Sequence, residues 1–400
     1  MPVRPARLLA AALILPVLAG CGPARADWVA SWAAAPSLLP GPSLRATTVR
    51  QVLRLSLGGL KLRVRFSNET GTRAMALGGA HVALPGAAPG SIDPATDRVL
   101  TFGGAQAVAV PPGAPLLSDP VDLPVAALST LVVTALIDGA SPRQVGHEQG
   151  GETAFLLAGD HLGQEAFGGA TTATARYALS GVEVMPSGQA GTAVGALGDS
   201  ITDGVGSTLD GDHRWTDRLA ERFAARTGAA VPAVVNLGIA GNTVTGGSLT
   251  DSSGLGALAR LDRDGLVRPG LRWLVLLEGI NDIQFTGSPG TVAADVIAAD
   301  RQIVARAHER GIKVVGATLT PFGGSGQSTW TPAREAARQA LNRWIRGGGT
   351  FDATVDFDAA LRDPARPTQL RPDYDSGDHL HPSDAGYRAM GEAVPLDLFQ

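Results

Sequence analysis

The sequence predicts a chain in two parts, an all-β, sandwich-like region over residues 27–190 and an α/β region over residues 191–400. Three observations carry this reading. Up to about residue 187, short alternating or β-branched runs are broken by Gly and Pro. The texture changes at the glycine-containing segment 188–191. Beyond it, apolar strand-like runs alternate with helical periodicity, the pattern of a parallel sheet covered on both faces.

In the first region the runs 49–56 and 60–66 flank Leu57-Gly58-Gly59 and predict a hairpin. Further strands are expected at 99–102, 107–110, 121–125, 130–137 and 174–184, separated by breakers such as Pro111-Pro112-Gly113 and Asp119-Pro120. In the second region strands are expected at 193–197, 231–237, 273–277, 312–318 and 353–357. Helices are expected at 214–226, 292–310, 332–345 and 384–394. No internal repeat stands out.

Composition narrows the function classes. With 33 basic and 37 acidic residues the formal charge is −4, which offers nucleic acid no electrostatic footprint. Apolar residues at 44% exclude a disordered chain.

Residues 1–26 read as an export signal. Arg4 and Arg7 precede the apolar run 8–18, which is shorter than the roughly 20 residues a membrane span requires. The following Leu18-Ala19-Gly20-Cys21 resembles the lipobox of bacterial lipoproteins, which implies lipidation of Cys21 and a membrane-anchored envelope protein. Ala24-Arg25-Ala26 before Asp27 offers a competing cleavage site, which would give a freely secreted or periplasmic protein. Cys21 is the single cysteine, so no internal disulfide can form.

Four polar motifs follow predicted strands or lie in a terminal loop, where ligands of such sheets sit. In Gly198-Asp199-Ser200-Ile201-Thr202-Asp203-Gly204, a strand-to-helix turn holds the Ser200 hydroxyl outward beside a free backbone N–H. In Asn236-Leu237-Gly238-Ile239-Ala240-Gly241-Asn242-Thr243, Gly241 lets its N–H approach a developing oxyanion. In Glu278-Gly279-Ile280-Asn281-Asp282, the Asn281 amide can donate a further hydrogen bond. In Asp375-Ser376-Gly377-Asp378-His379-Leu380-His381-Pro382, Asp378 and His381 stand three residues apart on one loop.

These motifs resemble, in order, blocks I, II, III and V of the SGNH (GDSL-like) hydrolase family, over about residues 192–400. The resemblance implies a flavodoxin-like parallel sheet and a serine carboxylic-ester hydrolase. Ser200 would be the nucleophile, with Asp378 and His381 as its acid–base partners. Ser200, Gly241 and Asn281 would form the oxyanion hole, and no cofactor or metal would be needed. Arg214-Trp215 and the run 318–324 resemble a bacterial branch with an N-terminal β domain, likened to acetylxylan esterases. That branch implies an acylated carbohydrate or other small ester as substrate. A lipid-directed esterase or lysophospholipase would use the same machinery. A non-catalytic glycan-binding envelope protein with a relic site is the reading from another class.

Other residues admit plainer roles. His379, facing Asp375, is the alternative base but lacks the family's spacing, and His379 with His381 could be read as metal ligands. His147, His161, His213 and His308 are scattered and read as structural. Asp199 and Asp203 read as bracing the nucleophile's turn. Glu278 reads as capping the next turn rather than orienting Asn281, and Trp215 and Trp330 as packing rather than sugar-stacking residues. Phe66, Phe102, Phe155, Phe167 and Tyr177 are too dispersed for a glycan platform. The loops 282–290 and 321–327 are short and polar, with Ile283, Phe285 and Phe322 as their large apolar residues, so no apolar lid is expected and short acyl groups are favoured.

Overall fold

In the computed structural model, residues 28–187, 191–226, 231–248, 251–325, 330–347 and 349–400 are described. The export signal, its lipobox and Cys21 lie outside the described residues.

The first part consists of antiparallel sheets. One contains, in spatial order, Thr171–Ala173, Ala154–Ala158, Thr47–Arg54, Thr130–Gly139, Met75–Ala83 and Arg98–Leu100, with Val108–Val110 also paired to Met75–Ala83. A second runs Val29–Ala33, Leu179–Met185, Gly59–Ser67 and Pro115–Leu117, with Val121–Val125 paired to Gly59–Ser67. The two sheets share one core. Leu131, Val133, Ala135 and Ile137, spaced by two, point into it from the first sheet, and Leu62, Val64 and Phe66 from the second.

The expected hairpin between 49–56 and 60–66 does not form. Thr47–Arg54 pairs with Thr130–Gly139 and Ala154–Ala158, whereas Gly59–Ser67 pairs in the other sheet. Neither Gly58 nor Gly59 adopts the positive φ of a tight hairpin turn. They serve close approach instead. A Cβ on Gly58 would lie 2.5 Å from the Val125 carbonyl oxygen, and one on Gly59 would lie 2.6 Å from that of Met185. The chain therefore crosses between sheets at this point.

The second part is a parallel five-stranded sheet. Its strands are β1 (Ala193–Gly198), β2 (Ala233–Gly238), β3 (Leu271–Leu277), β4 (Lys313–Ala317) and β5 (Ala353–Val355). Their spatial order is β2-β1-β3-β4-β5, with every neighbouring pair parallel. This is the flavodoxin-like order, in which the chain reverses direction beside β1 and opens a crevice at the carboxyl ends of the strands. All six residues of β1 are buried, so both faces of the sheet are covered.

The helices are α1 (Ser200–Asp203), α2 (Trp215–Ala224), α3 (Ala257–Arg260), α4 (Ile280–Phe285), α5 (Val292–Glu309), α6 (Pro332–Gly347), α7 (Phe357–Leu361) and α8 (Asp384–Ala393). The longer ones bury single apolar stripes, such as Val292, Val296, Ala299, Ile303 and Ala307 on α5. Trp215 is fully buried against Phe357, with ring centroids 5.5 Å apart, so it packs rather than stacks on a ligand. Trp330 is half-buried against the same core.

The two parts are joined through strand Val29–Ala33. Val29, Ala30 and Ala33 enter the core of the α/β part, while Trp32 enters the sandwich core. Ala30 N–H donates to Pro269 O at 2.9 Å, and Val234 N–H donates to Ser56 Oγ at 3.0 Å.

Candidate active site

Ser200 opens α1 directly after β1. Asp199 caps this single turn, its Oδ1 accepting from Ile201 N–H at 2.9 Å, and Gly204 closes it in a left-handed conformation. The turn is pinned from below by Gly238 at the end of β2. A Cβ there would lie 2.3 Å from Asp203 N, so only glycine lets the two segments pack.

The terminal loop brings Asp378 and His381 to Ser200. Asp375 and Pro382 form a β-bridge at its base, and Ser376 N–H donates to His381 O at 3.0 Å. Asp378 Oδ1 accepts from the N–H groups of Leu380 and His381 at 2.9 and 2.8 Å. Its Oδ2 lies 2.5 Å from His381 Nδ1, and His381 Nε2 lies 2.8 Å from Ser200 Oγ. Facing a carboxylate, Nδ1 carries the proton, which leaves Nε2 as the acceptor for the serine hydroxyl. Burial pushes the Asp378 carboxyl up, but the hydrogen bonds from the His381 ring and from the His381 and Leu380 N–H groups outweigh it. The net pKa falls well below the usual carboxylate range.

His379 does not reach this chain. Its Nδ1 pairs with Asp375 Oδ2 at 2.5 Å, its ring is half-exposed, and its φ of 63° turns it away from its neighbours' path. The two histidines thus engage separate aspartates. Among the described residues, no three His, Cys, Asp or Glu side chains are grouped as a metal-ligand set.

Ser200, Gly241 and Asn281 follow the carboxyl ends of the adjacent strands β1, β2 and β3. The N–H groups of Ser200 and Gly241 have no acceptor among the described residues, and Gly241 is held at φ 78°. Asn281 Nδ2 donates one hydrogen to Asn242 O at 2.8 Å, which fixes the amide and leaves its other N–H free to donate. These are the donors an oxyanion hole requires.

A buried arginine that the sequence reading passed over underlies these loops. Arg260 on α3 is fully buried and donates to Gly198 O at 2.9 Å, Leu237 O at 2.7 Å and Asn242 Oδ1 at 2.9 Å. One guanidinium therefore ties the ends of β1 and β2 to the residue that holds Asn281. Its only sequence trace is Asp264 four residues on, which it meets at 3.4 Å.

Glu278 caps nothing: it is buried, neither carboxyl oxygen has a hydrogen-bond partner, and Arg260 lies 3.8 Å away. Burial, reinforced by the charge of Asp199, holds its pKa well above the usual value. Burial also pushes the Asp199 carboxyl up to about 7, against the hydrogen bond from Ile201 N–H. Asp203 does more than brace the turn, since its Oδ2 accepts from Ala240 N–H at 2.8 Å and its Oδ1 lies 2.8 Å from His147 Nε2. The remaining histidines have structural partners: His81 with Asp97, His161 with Ala158 O, His213 with Asp384 and His308 with Asp352.

A model of the GDSL-like lipase/acylhydrolase family matches residues 196–389. No curated protein matches the chain. Among solved structures, an aryl esterase of M. smegmatis is similar at 19% identity, covering 50% of this chain and 95% of its own, with a TM-score of 0.39. A carbohydrate acetylesterase from Sinorhizobium meliloti is similar at 17% identity, covering 52% and 97%, with a TM-score of 0.39. A catalytic mutant of an acetylxylan esterase from Geobacillus stearothermophilus is similar at 22% identity, covering 50% and 91%, with a TM-score of 0.37. Residues 196–389 belong to the GDSL-like lipase/acylhydrolase family, and the protein is a carboxylic ester hydrolase.

Proposed function

We propose that the protein removes short acyl groups, acetyl above all, from carbohydrate esters through an acyl-enzyme on Ser200. The observation that carries the reaction type is the unbroken chain Asp378–His381–Ser200, at 2.5 and 2.8 Å. In this reading His381 Nε2 takes the Ser200 proton as Oγ attacks the ester carbonyl, and Asp378 stabilises the imidazolium. The Ser200 and Gly241 N–H groups and the Asn281 amide receive the oxyanion, one such donor lowering the barrier by about 3–4 kcal/mol. His381 returns the proton to the departing alcohol, and water then releases the acid by the same route.

The short-acyl preference rests on what surrounds the site. The α4 segment ends at Phe285, and no amphipathic helix lies between it and Gly290 to roof an acyl chain. A long chain gains about 0.8 kcal/mol for each CH₂ it buries, which such a surface offers little room to collect. Phe285 itself, 62% exposed, favours the second reading, a lipid-directed esterase. Hydrolysis of nitrophenyl esters from acetate to palmitate, beside acetylated xylan and lysophospholipid, separates the two. We expect kcat/KM to peak at acetate; a maximum at eight carbons or beyond would put the lipid reading first. Ser200→Ala should abolish turnover at an unchanged melting temperature, and retained hydrolysis would remove the mechanism.

We also propose export with a lipid on Cys21, supported by Leu18-Ala19-Gly20-Cys21 after an apolar run. Cys21→Ser should move the protein from the membrane fraction to the soluble one. A mature N-terminus at Asp27 would establish free secretion instead.

A further inference from the structure

His147 belongs to the β-sheet part, in the short strand Val145–His147, yet it is buried against the nucleophile's turn. Its Nδ1 lies 3.0 Å from Ala35 O and its Nε2 lies 2.8 Å from Asp203 Oδ1. The other Asp203 oxygen accepts from Ala240 N–H at 2.8 Å, and Ala240 immediately precedes Gly241. Four links therefore run in series: strand, imidazole, carboxylate, oxyanion loop.

The proton count of this chain is constrained by its partners. A carbonyl oxygen only accepts, so Nδ1 is protonated. Nε2 faces a carboxylate oxygen and forms a hydrogen bond only if a proton lies between them. The groups facing the ring are Asp203 from α1, Arg176 from the neighbouring strand and Arg214 across a small polar cavity. Burial lowers the His147 pKa and Arg176 adds to that, but the charge and hydrogen bond of Asp203 prevail and raise it. The imidazolium–carboxylate pair gives Asp203, itself only 4% exposed, a fixed direction.

We propose that His147 is a positioning residue for ester hydrolysis, fixing through Asp203 the loop that presents the Gly241 N–H to the oxyanion. This assigns the β-sheet part a role inside the active site. It rests on reading Ser200, Gly241 and Asn281 as a hydrolytic site. Losing the link leaves the Gly241 donor in place but no longer held, so its effect belongs in kcat rather than in substrate binding.

Three variants of the full-length protein separate the Nε2 bond from ordinary packing. His147→Leu fills the space and removes both bonds. His147→Asn reaches Ala35 O but falls short of Asp203. His147→Gln extends an amide N–H to the Nε2 position. With nitrophenyl acetate, Leu and Asn should lower kcat roughly 10- to 100-fold while KM moves less than about threefold, and Gln should recover most of the rate. Amide hydrogen exchange over residues 239–242 should speed up in Leu and Asn, but not in Gln. Wild-type kcat in both Leu and Asn would overturn the proposal, as would a rate loss with unchanged exchange over 239–242. If Leu fails to fold, the Asn and Gln pair decides alone. Failure of the hydrolytic reading itself would show separately, as hydrolysis surviving Ser200→Ala, and the exchange contrast would still report on the His147 link.

Discussion

Arg260 takes no proton in the proposed reaction, yet it ties together the loops that carry the site. Its planar fork matches three acceptors in three directions: Gly198 O, Leu237 O and Asn242 Oδ1. Burial lowers its pKa, against the charges of Asp264 and Glu278. A lysine would keep the charge but would place one compact ammonium where a fork is needed. Each acceptor left buried and unpaired costs about 1–3 kcal/mol. Arg260→Lys should therefore lose about 2–4 kcal/mol in urea unfolding and also lower kcat, because Asn242 would no longer be fixed behind Asn281. An unchanged unfolding midpoint would show that the fork is dispensable.

The elements show which features local sequence reports and which it does not. β1 to β5 and the long helices α5 and α6 were legible because parallel strands are continuous apolar runs and these helices bury one stripe each. The chemistry-bearing turns were legible because polar residues follow those strands. The pairing of Thr47–Arg54 and Gly59–Ser67 was not, since alternation shows that a strand has a core face but not which neighbour it meets. Met75–Ala83 escaped notice because Gly78 and Gly79 interrupt its pattern, although it lies inside the larger sheet. α8 was legible as a helix, but not as a brace: buried Tyr387 donates its hydroxyl to Val205 O at 2.6 Å, tying α8 to the segment just after α1. Such long-range bonds leave no mark at any sequence period. The links made by His147 and Arg260 left no trace for the same reason, their partners Asp203 and Gly198 lying 56 and 62 residues away.

Across the whole molecule, buried ionisable groups gather beside the apolar contact between the two parts, which makes stability answer to pH. Buried Arg176 donates to Glu152 Oε2 at 2.6 Å and to Gly150 O at 2.9 Å, while Arg54 meets Glu221 at 3.1 Å across the boundary. Burial pushes the Glu152 carboxyl up to about 8, with Arg176 opposing and the facing Asp212 reinforcing. From the ordinary value of 4.5 up to about 8, the folded protein binds a proton at Glu152 that the unfolded chain has released. Stability must then fall as pH rises through that window and level off above it. His147 adds a loss of the same sign, because its raised pKa stabilises the fold only while the ring is protonated. Glu152→Gln isolates the first contribution, since an amide accepts from Arg176 as the protonated acid does and does not titrate. The variant should match wild type near pH 5 and melt at a higher temperature near pH 8, leaving only the shallower slope due to His147 and the other groups. Parallel melting curves for the two proteins from pH 5 to 8 would place the Glu152 proton elsewhere. A lower melting temperature for the variant at pH 8 would mean that the ionised Glu152–Arg176 pair stabilises the folded protein, reversing the sign of the argument.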